Sequence, residues 1–120
     1  MKIGTDIILI SRVEDSIDKF GDKFLERFLT NSEIKQNLKI ESIAGMWASK
    51  EAISKALGCG IGRDLSFQDI TISKDSRGAP YFRLSDRVKE IFDIEDSSLS
   101  ISHDGGFAIA VVAIVFAKRL

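Results

Sequence analysis

Two carboxylates, a lysine and the chain's only histidine fall within four short segments. These are Ile3-Gly4-Thr5-Asp6-Ile7, Trp47-Ala48-Ser49-Lys50-Glu51-Ala52, Lys55-Ala56-Leu57-Gly58-Cys59-Gly60-Ile61-Gly62 and Ser100-Ile101-Ser102-His103. If the elements that carry them converge, two carboxylates, an ammonium and an imidazole meet in one place. That is the equipment of magnesium-assisted phosphate chemistry.

Each residue also has a plainer use. Asp6 lies mid-strand on the face of Ile8 and Ile10, where a carboxylate is costly unless it is paired or bound to a cation. An edge strand letting Asp6 reach solvent, or cap a helix, meets that demand equally well. Glu51 and Lys55 have i, i+4 spacing, which on an open helix surface is an ion pair of roughly 0.3–0.5 kcal/mol. The alanines around them point to a half-buried face instead. Lys50 leaves the helix about 100° away from Glu51. A lone histidine at a strand end is commonly structural. With one histidine and one cysteine, the usual zinc hydrolase designs are excluded. Gly58-Cys59-Gly60-Ile61-Gly62 follows a helix and lacks the Gly-Lys-Ser/Thr ending of a phosphate-binding loop. It reads as a helix stop and a loop, and Cys59 has no adjacent base to activate it.

The elements that must position these residues follow from pattern. Residues 2–10 read as a strand rich in isoleucine, with Ser11 as cap of the next segment. Val13, Ile17, Phe20, Phe24 and Phe28 recur at three or four, so residues 12–28 read as helix, broken at Gly21. Thr30 and Glu33 have capping-box spacing and start a short helix. Ser42 to Leu57 is the strongest helix, stopped by Gly58. Phe67 to Ser73 and Ala79 to Leu84 read as a hairpin around Asp75-Ser76-Arg77-Gly78. Ser85 caps a helix reaching Phe92. Ser98 to His103 alternates, with Leu99, Ile101 and His103 on one face and the serines on the other. After Asp104-Gly105-Gly106, the run Phe107 to Phe116 is apolar on both faces, as in a central or interface strand. The expected architecture is α+β, an antiparallel sheet with helices packed on it, in one domain spanning residues 1–120.

Composition removes several function classes. The chain has 120 residues, 44% apolar and 29% charged, with net charge −1 and intermixed signs. No basic patch suggests a nucleic-acid partner. The run from Phe107 to Ala117 is about half the ~20 residues a membrane-spanning helix needs. Asp6 interrupts the N-terminal apolar run where a signal peptide would not. One cysteine excludes an intrachain disulfide and fits a reducing compartment. A cytoplasmic protein without membrane or nucleic-acid partners is expected.

Taken together the segments resemble the holo-[acyl-carrier-protein] synthases, small members of the 4′-phosphopantetheinyl transferase superfamily. The likeness runs through the four segments above, Arg12, Phe24-Leu25-Glu26-Arg27-Phe28-Leu29-Thr30 with Glu33, Phe67-Gln68-Asp69-Ile70 and Gly78-Ala79-Pro80. It implies transfer of 4′-phosphopantetheine from coenzyme A to a serine hydroxyl of apo acyl carrier protein, with release of adenosine 3′,5′-bisphosphate. It also implies Mg2+ as cofactor and a homotrimer with sites between subunits. Asp6 and Glu51 match the family's magnesium ligands, and Lys55 its phosphate-binding lysine. Lys50, Lys55, Gly58 and His103 are the expected coenzyme A contacts. Arg12, Lys23 and Arg27 match basic positions on the docking helix for an acidic carrier protein, diluted here by Asp15, Asp18 and Asp22. The resemblance leaves open whether Glu51 or a metal-bound water takes the serine proton. Two positions depart from the pattern: Met46 stands where many relatives have arginine, and Asp104 follows His103 where a hydroxyl residue is common. A related enzyme acting on a peptidyl carrier domain and a non-catalytic trimeric binding module are the competing readings. Short length favours the dedicated fatty-acid type over the first, and the intact set Asp6, Glu51, Lys55 and His103 speaks against the second.

Overall fold

The computed structural model describes residues 1–118. The elements run β1 (Lys2–Leu9), α1 (Ile10–Phe20), α2 (Asp22–Phe28), α3 (Asn31–Ile34), α4 (Ile40–Leu57), a 3-10 turn (Phe67–Asp69), β2 (Ile70–Lys74), β3 (Pro80–Leu84), α5 (Asp86–Ile91), β4 (Ile94–Asp104) and β5 (Phe107–Phe116). Both sheets are antiparallel: three strands in the order β1-β5-β4, and the hairpin β2-β3. The architecture is the expected α+β one, with β5 in the centre of the larger sheet.

Helix α4 lies across the inner face of that sheet. Ala44, Ala48, Ala52 and Ala56 recur every four residues and are all buried, so the helix comes unusually close to the strands. The tightest approach is at Gly4 of β1, where an added Cβ would sit 1.9 Å from the Ala52 carbonyl oxygen. At the other end, a Cβ on Gly45 would meet the Ile101 side chain of β4 at 2.9 Å. The helix thus crosses from β4 to β1, and its C-terminal half carries Glu51 and Lys55 to the β1 edge. Gly58, left-handed at φ 81°, ends it with backbone bonds to Ser54 and Lys55, as the sequence implied.

The opposite side of α4 is covered by α2, α3 and the 3-10 turn, through a cluster of Phe24, Phe28, Trp47 and Phe67 whose ring centroids lie 4.9–6.3 Å apart. Gln68 donates to the carbonyls of Glu26 and Leu29, closing the C-terminal end of α2. The capping box at Thr30 and Glu33 is present. Gly105 and Gly106, both at positive φ, turn β4 into β5 between the paired Asp104 and Phe107, the geometry a two-residue hairpin loop requires.

Three local expectations are corrected. Helix α1 begins at Ile10, not after a Ser11 cap: its N-cap is the extended Leu9 without a side-chain bond, and the Ile10 amide donates to the Gly106 carbonyl instead. Phe67–Asp69 forms a 3-10 turn rather than the start of a strand, because Ser66 and Asp69 form a capping box that curls the chain. Ser85 occupies the N-cap position of α5, but its hydroxyl donates to Asp69 at 2.7 Å rather than to the helix.

Burial alone would raise the carboxyl pKa of Asp69. Hydrogen bonds from the Ser66 amide, Ser85, Arg87 and the Ser66 hydroxyl outweigh it and hold the pKa at about 2. A carboxylate depressed in this way contributes stability above the ordinary Asp range and loses it as pH falls toward about 2. Asp69→Asn is therefore expected to melt lower than wild type at neutral pH, with the difference shrinking in acid. Parallel melting curves at neutral pH and near pH 2 check this, and a gap that does not change with pH would contradict it.

Candidate active site

The site grows from the contact of α4 with β1. Asp6 points to the inner face of the sheet, its side chain 16% exposed, and Lys55 reaches it from α4 at 3.1 Å. The same ammonium donates to the Thr5 carbonyl at 3.0 Å. Glu51, one helical turn before Lys55, is half-buried beside them. Burial, then the negative charge of Asp6, push the Glu51 carboxyl above its ordinary pKa, and Lys55 only partly offsets them. Asp6 and the Glu51–Lys55 pair, remote from it in sequence, therefore share one patch at the β1 edge. The i, i+4 pair proves to be part of a cluster and not a plain surface pair.

Asp6 and Glu51 are two hard oxygen donors held near one another. Among the described residues no third His, Cys, Asp or Glu joins them in a metal-binding group. Two carboxylates with open coordination suit Mg2+, which typically takes one or two carboxylates and completes its octahedron with water and substrate phosphates.

His103 lies elsewhere on the sheet. It is exposed at the end of β4 and pairs, through Ala108 of β5, with the row of Ile8 rather than that of Asp6. It opens onto a cavity of about 280 Å³ with Met46, Ile101, Lys74, Gly78 and Pro80 among its lining. Met46 and His103, both singled out in the sequence, thus face one cavity. Since β1 and β4 flank β5, the Asp6 cluster and the His103 cavity sit on two strands about 10 Å apart. Gly58 is exposed beyond Lys55, and Arg12, Lys23 and Arg27 are exposed on α1 and α2.

Lys50 is the clear departure. Expected among the coenzyme A contacts, it is fully buried, with its ammonium on the Phe28 carbonyl at 2.6 Å, Glu33 Oε1 at 2.8 Å and the Phe67 carbonyl at 3.1 Å. Its three donors are used and it faces away from the Asp6 cluster. Burial pulls its pKa down, and the hydrogen bond and charge of Glu33 oppose that. Glu33 is the partner that local sequence pattern conceals. It was legible as a helix cap, but nothing in its spacing announces that the same carboxylate closes a buried ion pair.

The comparisons decide the family. Residues 2–112 match the family model described as the 4′-phosphopantetheinyl transferase superfamily. A protein named holo-[acyl-carrier-protein] synthase from a Sulfurovum species is 60% identical over 97% of this chain and 98% of its own. This chain belongs to the holo-[acyl-carrier-protein] synthases. Among solved synthases, that of Helicobacter pylori in complex with coenzyme A has a TM-score of 0.90 and 54% identity, covering 94% of this chain and 99% of that one. The Neisseria meningitidis synthase has a TM-score of 0.89 at 32% identity, over 95% and 97%. The synthase fold thus extends over the elements that carry the Asp6 cluster, the His103 cavity and the buried Lys50. No helix among the described residues is long and apolar enough to cross a membrane.

Proposed function

We propose that this enzyme acts as one domain and transfers 4′-phosphopantetheine from coenzyme A to a serine hydroxyl of apo acyl carrier protein, releasing adenosine 3′,5′-bisphosphate, with Mg2+ held by Asp6 and Glu51. The observation that carries the reading is the cluster of Asp6, Glu51 and Lys55, joined across β1 and α4. Asp6 and Glu51 would hold the cation, which would supply charge stabilisation for the leaving bisphosphate. Lys55, 54% exposed and already seated on Asp6, offers its ammonium to the phosphate oxygens. Either Glu51, beside Asp6 and Lys55, or a metal-bound water would take the serine proton. His103 and the cavity it shares with Met46 offer a place for the nucleotide end, and exposed Gly58 lets backbone come close to the substrate.

Two features favour a homotrimer with shared sites. The outer face of the sheet carries Ile3, Ile7, Leu9, Phe107, Ile109 and Val111, all at least 39% exposed; a continuous apolar face of this kind belongs in an interface. The separation of His103 from Asp6 also suits a substrate that spans two subunits. Reaction in the cytoplasm fits the carrier substrate and the free thiol.

The test is the intact mass of apo acyl carrier protein after incubation with the enzyme, coenzyme A and Mg2+. A gain of one phosphopantetheine that a chelator abolishes supports the reading. No gain, while another synthase modifies the same carrier in parallel, would refute it.

Docking is expected to be electrostatic. Arg12→Ala and Arg27→Ala should each raise the KM for carrier protein several-fold and flatten its dependence on salt, leaving kcat nearly unchanged. Unaltered KM values across a salt series would show that the carrier docks elsewhere.

A further inference from the structure

Helix α4 is held on two sides, and Glu51 lies between the holds. Successive residues on a helix turn by about 100°, so Lys50 and Ala52 project to nearly opposite sides, with Glu51 between them. Ala52 is locked against Gly4 of β1, with no room for even a methyl group. Lys50 is locked on the far side by hydrogen bonds to Phe28, Glu33 and Phe67. Glu33 is itself fixed: Oε1 also accepts from the Thr30 amide and Oε2 from the Ile72 amide, both at 2.7 Å. One ion pair therefore ties α4 to the end of α2, the cap of α3, the 3-10 turn and β2.

We propose that Lys50 is a positioning residue: its pair with Glu33 sets the roll of α4 and so holds Glu51 opposite Asp6. The inference rests on the reading of Asp6 and Glu51 as the metal-binding pair. Stability alone does not account for the device. A buried ion pair contributes little net stability compared with apolar residues of the same volume, and the aromatic cluster already fills this interface. What directional hydrogen bonds add is orientation. Apolar contacts let a helix roll by a fraction of a turn at low cost, whereas an ammonium seated on three acceptors does not. A roll of α4 would carry the Glu51 carboxylate along an arc past Asp6 while leaving the core packed.

The test is the double variant Lys50→Met/Glu33→Gln, which removes both charges at similar side-chain volume. It should fold but melt below wild type, because the buried Phe28 carbonyl loses its donor and the new glutamine NH2 meets a backbone N–H of Thr30 or Ile72, so the measurements are made well below its melt. Its kcat should fall about tenfold or more with KM for carrier protein unchanged, and its affinity for Mn2+ in the presence of coenzyme A, read from the free-ion electron paramagnetic resonance signal, should weaken about tenfold, the scale on which residues that orient metal ligands act. A folded double variant with wild-type kcat and Mn2+ affinity would overturn the proposal. Should the double variant not fold, Glu33→Gln alone is read by the same two measurements, and no change in either is equally decisive. Wild-type protein that neither modifies the carrier nor binds Mn2+ would sink the functional reading and the positioning role with it. Active wild type beside an unimpaired variant sinks only the positioning role.

Discussion

Glu51→Gln should lose at least about 10²-fold in turnover, the scale of removing one preorganised electrostatic contact, and yet melt higher than wild type in magnesium-free buffer at neutral pH. The two effects share a cause. Burial and the charge of Asp6 raise the Glu51 pKa, so the folded state binds this proton more tightly than the unfolded chain does. By linkage, the stability tied to this group is complete below the ordinary Glu range and is lost as pH rises through the raised folded value. Glutamine stays neutral, so the advantage of the variant should vanish in mild acid and widen toward neutrality. Melting curves in chelator from about pH 4 to about pH 8 display that divergence directly. A variant that melts at or below the wild-type temperature near pH 7 would mean that the two carboxylates do not strain the apo-site.

Gly4→Ala is the second large effect. The new methyl carbon would lie 1.9 Å from the Ala52 carbonyl oxygen and 2.9 Å from the Ala56 nitrogen. Both are backbone atoms of a helix, so neither can swing aside, and β1 and α4 must separate. Overpacking of this kind costs about 1–3 kcal/mol, occasionally more. Because Asp6 is two residues along the displaced strand, activity should fall further than the unfolded fraction explains. Gly21→Ala provides the contrast. There φ is +61° and ψ −139°, backbone that is essentially reserved for glycine, with nothing within 4 Å, so the cost of about 1–3 kcal/mol is conformational and the folded fraction should keep full turnover. Equal specific activities for the two folded variants would detach the strand contact from the site.

The parts of this molecule that were legible are those where local chemistry and tertiary demand agree. The alanine spacing of α4, the Thr30–Glu33 box and the glycine turns each prescribe one conformation, and each appears in the structure. Asp6, Glu51 and Lys55 carried chemical meaning as types, but only the register of β1 against α4 brings them together. What stayed hidden depends on partners distant in sequence. Lys50 leaves the helix about 100° from Glu51, and only the family resemblance placed it among the coenzyme A contacts, while Glu33, seventeen residues earlier, draws it into the core. The Asp69 network was hidden for the same reason: Ser66 and Asp69 show cap spacing, but Ser85 and Arg87 complete it from another element.

The pairing of β1 with β5 also bears on how the protein is made. Thr5 lies opposite Val111, and Asp6 opposite Ala110, so β1 waits for β5, the strand of this sheet made last, before its hydrogen bonds can close. Until then its isoleucines have no partner strand, and the enclosed loop spans most of the chain. Long-range closure of this kind is slow and leaves an adhesive edge open in the interim. In a nascent chain halted before β5, helix α4 can form, but Asp6 has no sheet to hold it. The active centre is therefore a late product of translation, and chaperone capture should concentrate on chains that have not yet reached Phe107.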